Sequence, residues 1–174
     1  MIKTFVQLTD KQTRADELGM RPARFWANEA TCLRAKVGCA VFSGKRSIVS
    51  GFNSSPPGEI TCVEAGECYT VMDNGRESCK RTSHAEENAI IQAAMEGIAI
   101  GGHTMYCTLG PPCPSCTKLI LGCKITRLVI DTWTYPSHLV WMLKSAVERG
   151  TIVVEAWHGE KIPDWCVVPE RYAA

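Results

Sequence analysis

Residues 84–131 read HAEENAIIQAAMEGIAIGGHTMYCTLGPPCPSCTKLILGCKITRLVID, and the alternation within this stretch decides the fold. Its apolar spacing predicts a helix from His84 to about Glu96, a strand from Thr104 to Leu109, a helix from Pro114 to Gly122 and a strand from Arg127 to Asp131. Helices alternating with short apolar strands specify a sheet covered by helices.

Working outward, Arg21–Lys36 places Phe25, Ala30, Leu33 and Val37 near helical spacing, which predicts a helix. Val37–Phe42 and Ser47–Phe52 are β-rich, and Ser43-Gly44-Lys45-Arg46 between them has hairpin chemistry, so they are expected to pair antiparallel. Asn53–Thr82 shifts to Pro, Gly, Ser, Asp and Cys without an apolar period and reads as a long irregular insertion. Downstream, Ser137–Arg149 predicts another helix, Gly150 its stop and Thr151–Trp157 a strand. Met1–Asp16 has no clear period, and the tail from His158 is expected to be irregular, docked through Trp165. The order predicts one α/β domain over residues 1–174, a three-layer α/β/α arrangement around a mixed, roughly five-stranded sheet.

The chain has 174 residues and is 45% hydrophobic, enough for one substantial core. No stretch approaches the roughly 18 to 20 apolar residues needed to cross a bilayer, and no secretory leader opens the chain, so a soluble cytoplasmic protein without membrane contact is expected. The net charge of +1 offers no overall basic field for a long nucleic acid. Ten cysteines without a leader point to thiolates that bind metal and away from a disulfide framework.

Two motifs carry the chemistry: His84-Ala85-Glu86, and Pro112-Cys113-Pro114-Ser115-Cys116. One imidazole from His84 and two thiolates from Cys113 and Cys116 make three protein ligands for zinc, leaving a fourth tetrahedral position for water. Both motifs sit at predicted helix N-termini, where unpaired N–H groups favour thiolate over thiol. Residues two apart on a helix face different ways, so Glu86 is free to move protons while His84 ligates. Ser83-His84-Ala85-Glu86 also fits a capping box, in which Glu86 would bond back to the helix start. The downstream thiolate pair tips the reading toward the proton shuttle. A structural zinc knot is the competing reading of the cysteines, and would need a fourth protein ligand.

H-x-E followed by P-C-x-x-C is the signature of zinc deaminases acting on nucleobases. Around it stand Lys36-Val37-Gly38-Cys39-Ala40, Gly51-Phe52-Asn53-Ser54-Ser55-Pro56-Pro57-Gly58, Cys79-Lys80-Arg81-Thr82-Ser83-His84-Ala85-Glu86-Glu87-Asn88-Ala89-Ile90 and Met105-Tyr106-Cys107-Thr108-Leu109. With these pieces the chain resembles the cytidine deaminase-like superfamily, and within it the deoxycytidylate deaminases of bacterial and phage type, from about Arg24 to Val154. The resemblance implies dCMP as substrate and dUMP as product. It also implies a homo-oligomer, commonly a hexamer, with dCTP activating and dTTP inhibiting and Mg2+ accompanying the triphosphate. It places Asn53 near nucleotide, although a turn residue bonding local backbone is an equal reading. It also suggests Tyr135 as a substrate contact, displaced by about one position, with Trp133 competing. Among the basic residues Arg24, Arg34, Lys36 and Arg81, the phosphate is assigned to Arg34 and Arg81. The chain departs from the pattern at Ser54, where Gly is usual, and in Gly110-Pro111-Pro112, one residue longer than usual.

Cys32, Cys62, Cys68 and Cys79 provide four thiolates for a second, structural zinc, and bacterial relatives look similar at these positions. Such a site would order an insertion that has little apolar content; buried free thiols are the alternative, as expected for Cys39, Cys107 and Cys123. Competing functions are deamination of another cytosine nucleotide, nucleoside or nucleic acid, and a zinc-stabilised binding module without turnover.

Overall fold

The structure is a computed structural model and describes residues 4–6, 9–73, 76–134 and 140–170. In chain order its elements are β1 (Thr4–Val6), α1 (Asp10–Asn28), β2 (Gly38–Ser43), β3 (Arg46–Phe52), α2 (Cys62–Ala65), β4 (Thr70–Asp73) and β5 (Arg76–Cys79). They continue with α3 (Ala85–Met95), β6 (Thr104–Gly110), α4 (Pro114–Gly122), β7 (Arg127–Trp133), α5 (Trp141–Glu148), β8 (Val153–His158) and β9 (Val167–Pro169). The main sheet has the order β1-β9-β8-β7-β6-β2-β3. β2 runs antiparallel to both β3 and β6, whereas β6, β7, β8, β9 and β1 are mutually parallel. The expected mixed α/β sheet is therefore present, and its five long strands are the five read from the sequence.

Alternation along each strand sends side chains to two covered faces. Cys39, Val41, Met105, Cys107, Leu128, Ile130, Val154 and Ala156 join the large core beneath α3, α4 and α5. Ala40, Phe42, Tyr106, Val129 and Trp157 meet Met20 and Ala23 of α1 on the opposite face. Beneath α1 lies an ionic knot. The Arg127 guanidinium donates to both carboxylate oxygens of Asp16 at 2.7 and 2.9 Å, and to both of Glu155 at 2.8 and 2.7 Å. The Tyr106 hydroxyl donates to Asp16 Oδ1 at 2.9 Å.

Three expectations are corrected. α1 begins at Asp10, with Gln12 N donating to the Thr9 hydroxyl at 3.2 Å as its cap, and ends at Asn28; residues 29–37 are loop. The early turns are polar, and an acid, Asp16, occupies the buried stripe, so the apolar period that would have revealed them is missing. The insertion is ordered locally: Thr61 and Glu64 form a reciprocal capping box on α2, and β4 pairs antiparallel with β5. The tail adds β9, while Trp165 docks as expected, edge-on to Trp133 with ring centroids 5.9 Å apart.

Helix α3 lies against β3 because residue 51 is glycine. A Cβ there would run into Ala85 O and stand 2.5 Å from Ala89 N. Gly51→Ala is therefore expected to push the start of α3 off the sheet, costing about 1–3 kcal/mol. A thermal melt and a zinc titration of the variant check this: both midpoint and metal affinity are expected to fall.

Candidate active site

The antiparallel pairings bring the carboxyl end of β3, the amino end of β2 and the carboxyl end of β6 to one edge of the sheet. In open α/β sheets, ligands bind outside the carboxyl ends of the parallel strands. His84 is the N-cap of α3 and Cys113 the N-cap of α4, so both motifs start helices there. The ligand atoms of His84, Cys113 and Cys116 all lie within 4.8 Å of one another, with Cys116 Sγ 3.4 Å from His84 Nδ1. Cys116 N donates to Cys113 Sγ at 3.4 Å, so the thiolate takes one of the orphan amides of the helix start.

Protons are distributed unevenly over this group. The Cys116 contact, with His84 beside it, pulls Cys113 down to about 4, while its bond to Cys113 pushes His84 up to about 9. The Cys113 contact and burial raise Cys116. The directions favour thiolate at Cys113 and the protonated forms of His84 and Cys116. One nitrogen and two sulfur donors, grouped without a fourth His, Cys, Asp or Glu among the described residues, fit zinc, whose binding displaces the protons held by His84 and Cys116. Zinc affinity is accordingly expected to fall as pH drops below about 9, by up to about a hundredfold per pH unit when both protons leave. Competition titrations with a chelator at several pH values check it.

Glu86 is only 4% exposed, and burial raises its carboxyl above the ordinary value. The capping box forms one residue later than Ser83 and Glu86 suggested: Glu87 accepts from His84 N at 3.3 Å. That leaves the Glu86 carboxylate out of the cap and near the charges of His84 and Cys113.

The other candidates fall in different surroundings. Asn53 is buried and bridges two backbone groups, donating to Ala35 O and accepting from Val37 N, both at 2.9 Å. Arg34 donates to Glu77 O at 3.2 Å, tying its loop to β5. Arg81 carries a buried Nε that has no hydrogen-bond partner among the described residues. Arg24 is committed to Asp131 through two bonds of 2.8 and 2.9 Å, and Lys36 to Ala30 O. Trp133 is buried core; Tyr135 lies outside the described residues. Asn88, which sequence reasoning passed over, donates to Phe52 O at 2.7 Å. Its position one turn after His84 was the available signal.

Cys62, Cys68 and Cys79 form a second group whose sulfurs lie within 4.8 Å of one another. Burial pushes Cys62 up to about 11; burial also acts on Cys79, but bonds from Thr82 and Arg81 outweigh it and hold that thiol at about 7. Cys32 is buried outside this group, its sulfur accepting from Arg34 N at 3.4 Å. Cys39 and Cys107 are buried on facing strands, with sulfurs 3.5 Å apart, and Cys123 is half-buried.

A mixed sheet with His and two Cys converging at two helix starts, and a buried Glu beside them, defines the zinc deaminase architecture. The family model for the cytidine and deoxycytidylate deaminase zinc-binding region matches residues 13–132, and the chain belongs to that family. It is 35% identical over 119 residues to ComE operon protein 2 of Bacillus subtilis, a match covering 67% of this chain and 60% of that protein. It is 32% identical over 136 residues to the deoxycytidylate deaminase of Schizosaccharomyces pombe, covering 75% of this chain and 41% of that protein. The chain thus spans less than two thirds of either relative. The dCMP deaminase of cyanophage S-TIM5, solved with dCMP and dUMP, superposes with a TM-score of 0.63 at 22% identity, over 86% of this chain and 99% of that one.

Proposed function

We propose that this chain hydrolyses dCMP to dUMP and ammonia. The observation that carries the reading is the three-ligand His84–Cys113–Cys116 group with buried Glu86 next to it in sequence. Family membership and relatives named for this reaction support it. Zinc, when bound, supplies a water acidified toward neutrality. With the metal held by His84, Cys113 and Cys116, Glu86 would take a proton from the attacking water and pass it to the ring nitrogen beside the amino-bearing carbon. Once the new C–O bond has formed, Glu86 takes the second proton from the hydroxyl on that carbon and delivers it to the amine, which leaves as ammonia as the C–N bond breaks and the carbonyl forms.

Substrate contacts are assigned to Asn53, Arg34, Arg81 and Tyr135. Asn53 keeps one amide hydrogen and one lone pair beyond its two backbone bonds. The unpartnered Nε of Arg81 favours an anion such as the monophosphate. A second, structural zinc is assigned to Cys62, Cys68 and Cys79, whose sulfurs the fold groups, with Cys32 as the expected fourth ligand. Metal analysis tests it: about two zinc ions per chain are expected, and about one removes the site. The same reading carries a cytoplasmic homo-oligomer, a hexamer, activated by dCTP with Mg2+ and inhibited by dTTP.

The deciding experiment is ammonia release from dCMP, dCTP, deoxycytidine and CMP, each with and without dTTP. Preference for dCMP is expected. Silence on every cytosine compound overturns the reading, and preference for another member of the panel replaces the substrate.

A further inference from the structure

The segment leaving β3 is tied to α3 at three levels. Gly51 allows backbone-to-backbone approach at Ala85 and Ala89. Ser83 N donates to Ser54 O at 2.9 Å, forming an isolated bridge between those two residues. Asn88 then reaches back from the first turns of α3, its Nδ2 donating to Phe52 O at 2.7 Å and to Ser54 Oγ at 3.4 Å. On its other side the segment is held by residues 31–37: Asn53 bonds Ala35 and Val37 through its side chain, and Asn53 O accepts from Thr31 N at 3.2 Å. Residue 53 is therefore clamped between a loop and the helix that carries His84 and Glu86.

We propose that Asn88 is a positioning residue. Through Phe52 and Ser54 it fixes the distance from the 52–55 loop to His84 and Glu86, so that a nucleotide held by its sugar-phosphate at the loop presents its base at the metal. The proposal rests on the nucleotide reading above and adds a residue that touches neither substrate nor metal. A bond that served stability alone would show in the melting temperature and nowhere else. A positioning bond shows where a ligand must span both sites.

The test compares wild type with Asn88→Asp, which keeps the shape and removes both N–H donors, and with the milder Ser54→Gly, which removes only the longer contact. Zinc content is expected to match wild type in both. For Asn88→Asp, KM for dCMP is expected to rise about tenfold, the size of one lost hydrogen bond, with kcat changed less than about threefold. dUMP affinity by calorimetry, read without turnover, is expected to weaken by a similar factor. Deoxycytidine, which lacks the phosphate, is expected to lose less, and Ser54→Gly to shift KM in the same direction by a smaller factor. Unchanged KM and dUMP affinity in Asn88→Asp, with a lowered melting temperature, overturn the proposal and leave the nucleotide reading intact. A wild-type protein that neither turns over cytosine nucleotides nor binds dUMP overturns both.

Discussion

Glu86→Gln is expected to retain zinc and to lose turnover by about a thousandfold or more, within the range that a positioned acid-base group supplies. Glutamine keeps the size of the side chain and its capacity to accept hydrogen bonds, but it holds no exchangeable acid. The fold should survive, because the cap at the start of α3 belongs to Glu87, which accepts from His84 N. Neutralising the buried carboxylate also removes a desolvation cost, so the melting temperature should hold or rise. Glu87→Gln is the matched control, expected to lower stability by a fraction of the roughly 1 kcal/mol of a helix cap and to leave turnover within a few-fold. Zinc content by metal analysis and ammonia release from dCMP read both variants. Retained activity in Glu86→Gln would assign the proton transfers elsewhere.

The second large effect falls far from the metal. Arg127→Met is expected to destabilise the chain by about 3–5 kcal/mol, lowering the melting temperature by roughly 10 °C or more. Among the described residues, the guanidinium is the cation that pairs with both Asp16, which is fully buried, and Glu155, which is nearly so. Burial works against the charge of Arg127, yet bonds to the two carboxylates raise its pKa far above the ordinary value. Removing it leaves two acids facing each other beneath α1, and one of them must protonate or the helix must lift. Replacing the whole group by apolar residues of similar volume is expected to cost much less, since the penalty belongs to the unpaired charge. Thermal or denaturant unfolding of Arg127→Met, alone and combined with apolar replacements of Asp16 and Glu155, separates the two. A single variant as stable as wild type would show that the knot contributes nothing.

The elements around the chemistry were legible because their signals are local. His84-Ala85-Glu86 and Cys113-Pro114-Ser115-Cys116 stand at helix starts, and caps are written in adjacent residues. What was hidden depends on distant partners. Asp16 looks like a surface acid until Arg127, from β7, arrives beside it, and that disguise concealed the first turns of α1. Val167–Pro169 has no period of its own to announce a strand and becomes one by pairing with β8 and β1. The capping register slipped by one because Ser83 is occupied in the bridge to Ser54. Arg34 and Arg81 stand near the motifs in sequence, but only the fold shows that the first is tied to β5 and that the second holds a buried nitrogen without a partner among the described residues.

The edge of the main sheet orders events during synthesis. β1 takes its place only beside β9, with Thr4, Phe5 and Val6 opposite Val167, Val168 and Pro169. Strand β1 must wait for β9, whereas the helices and strands that bring His84, Cys113 and Cys116 together lie between the two in sequence and can meet earlier. Among the described strands, that edge joins the segments farthest apart in sequence, and the entropy of joining distant segments makes its closure a late event.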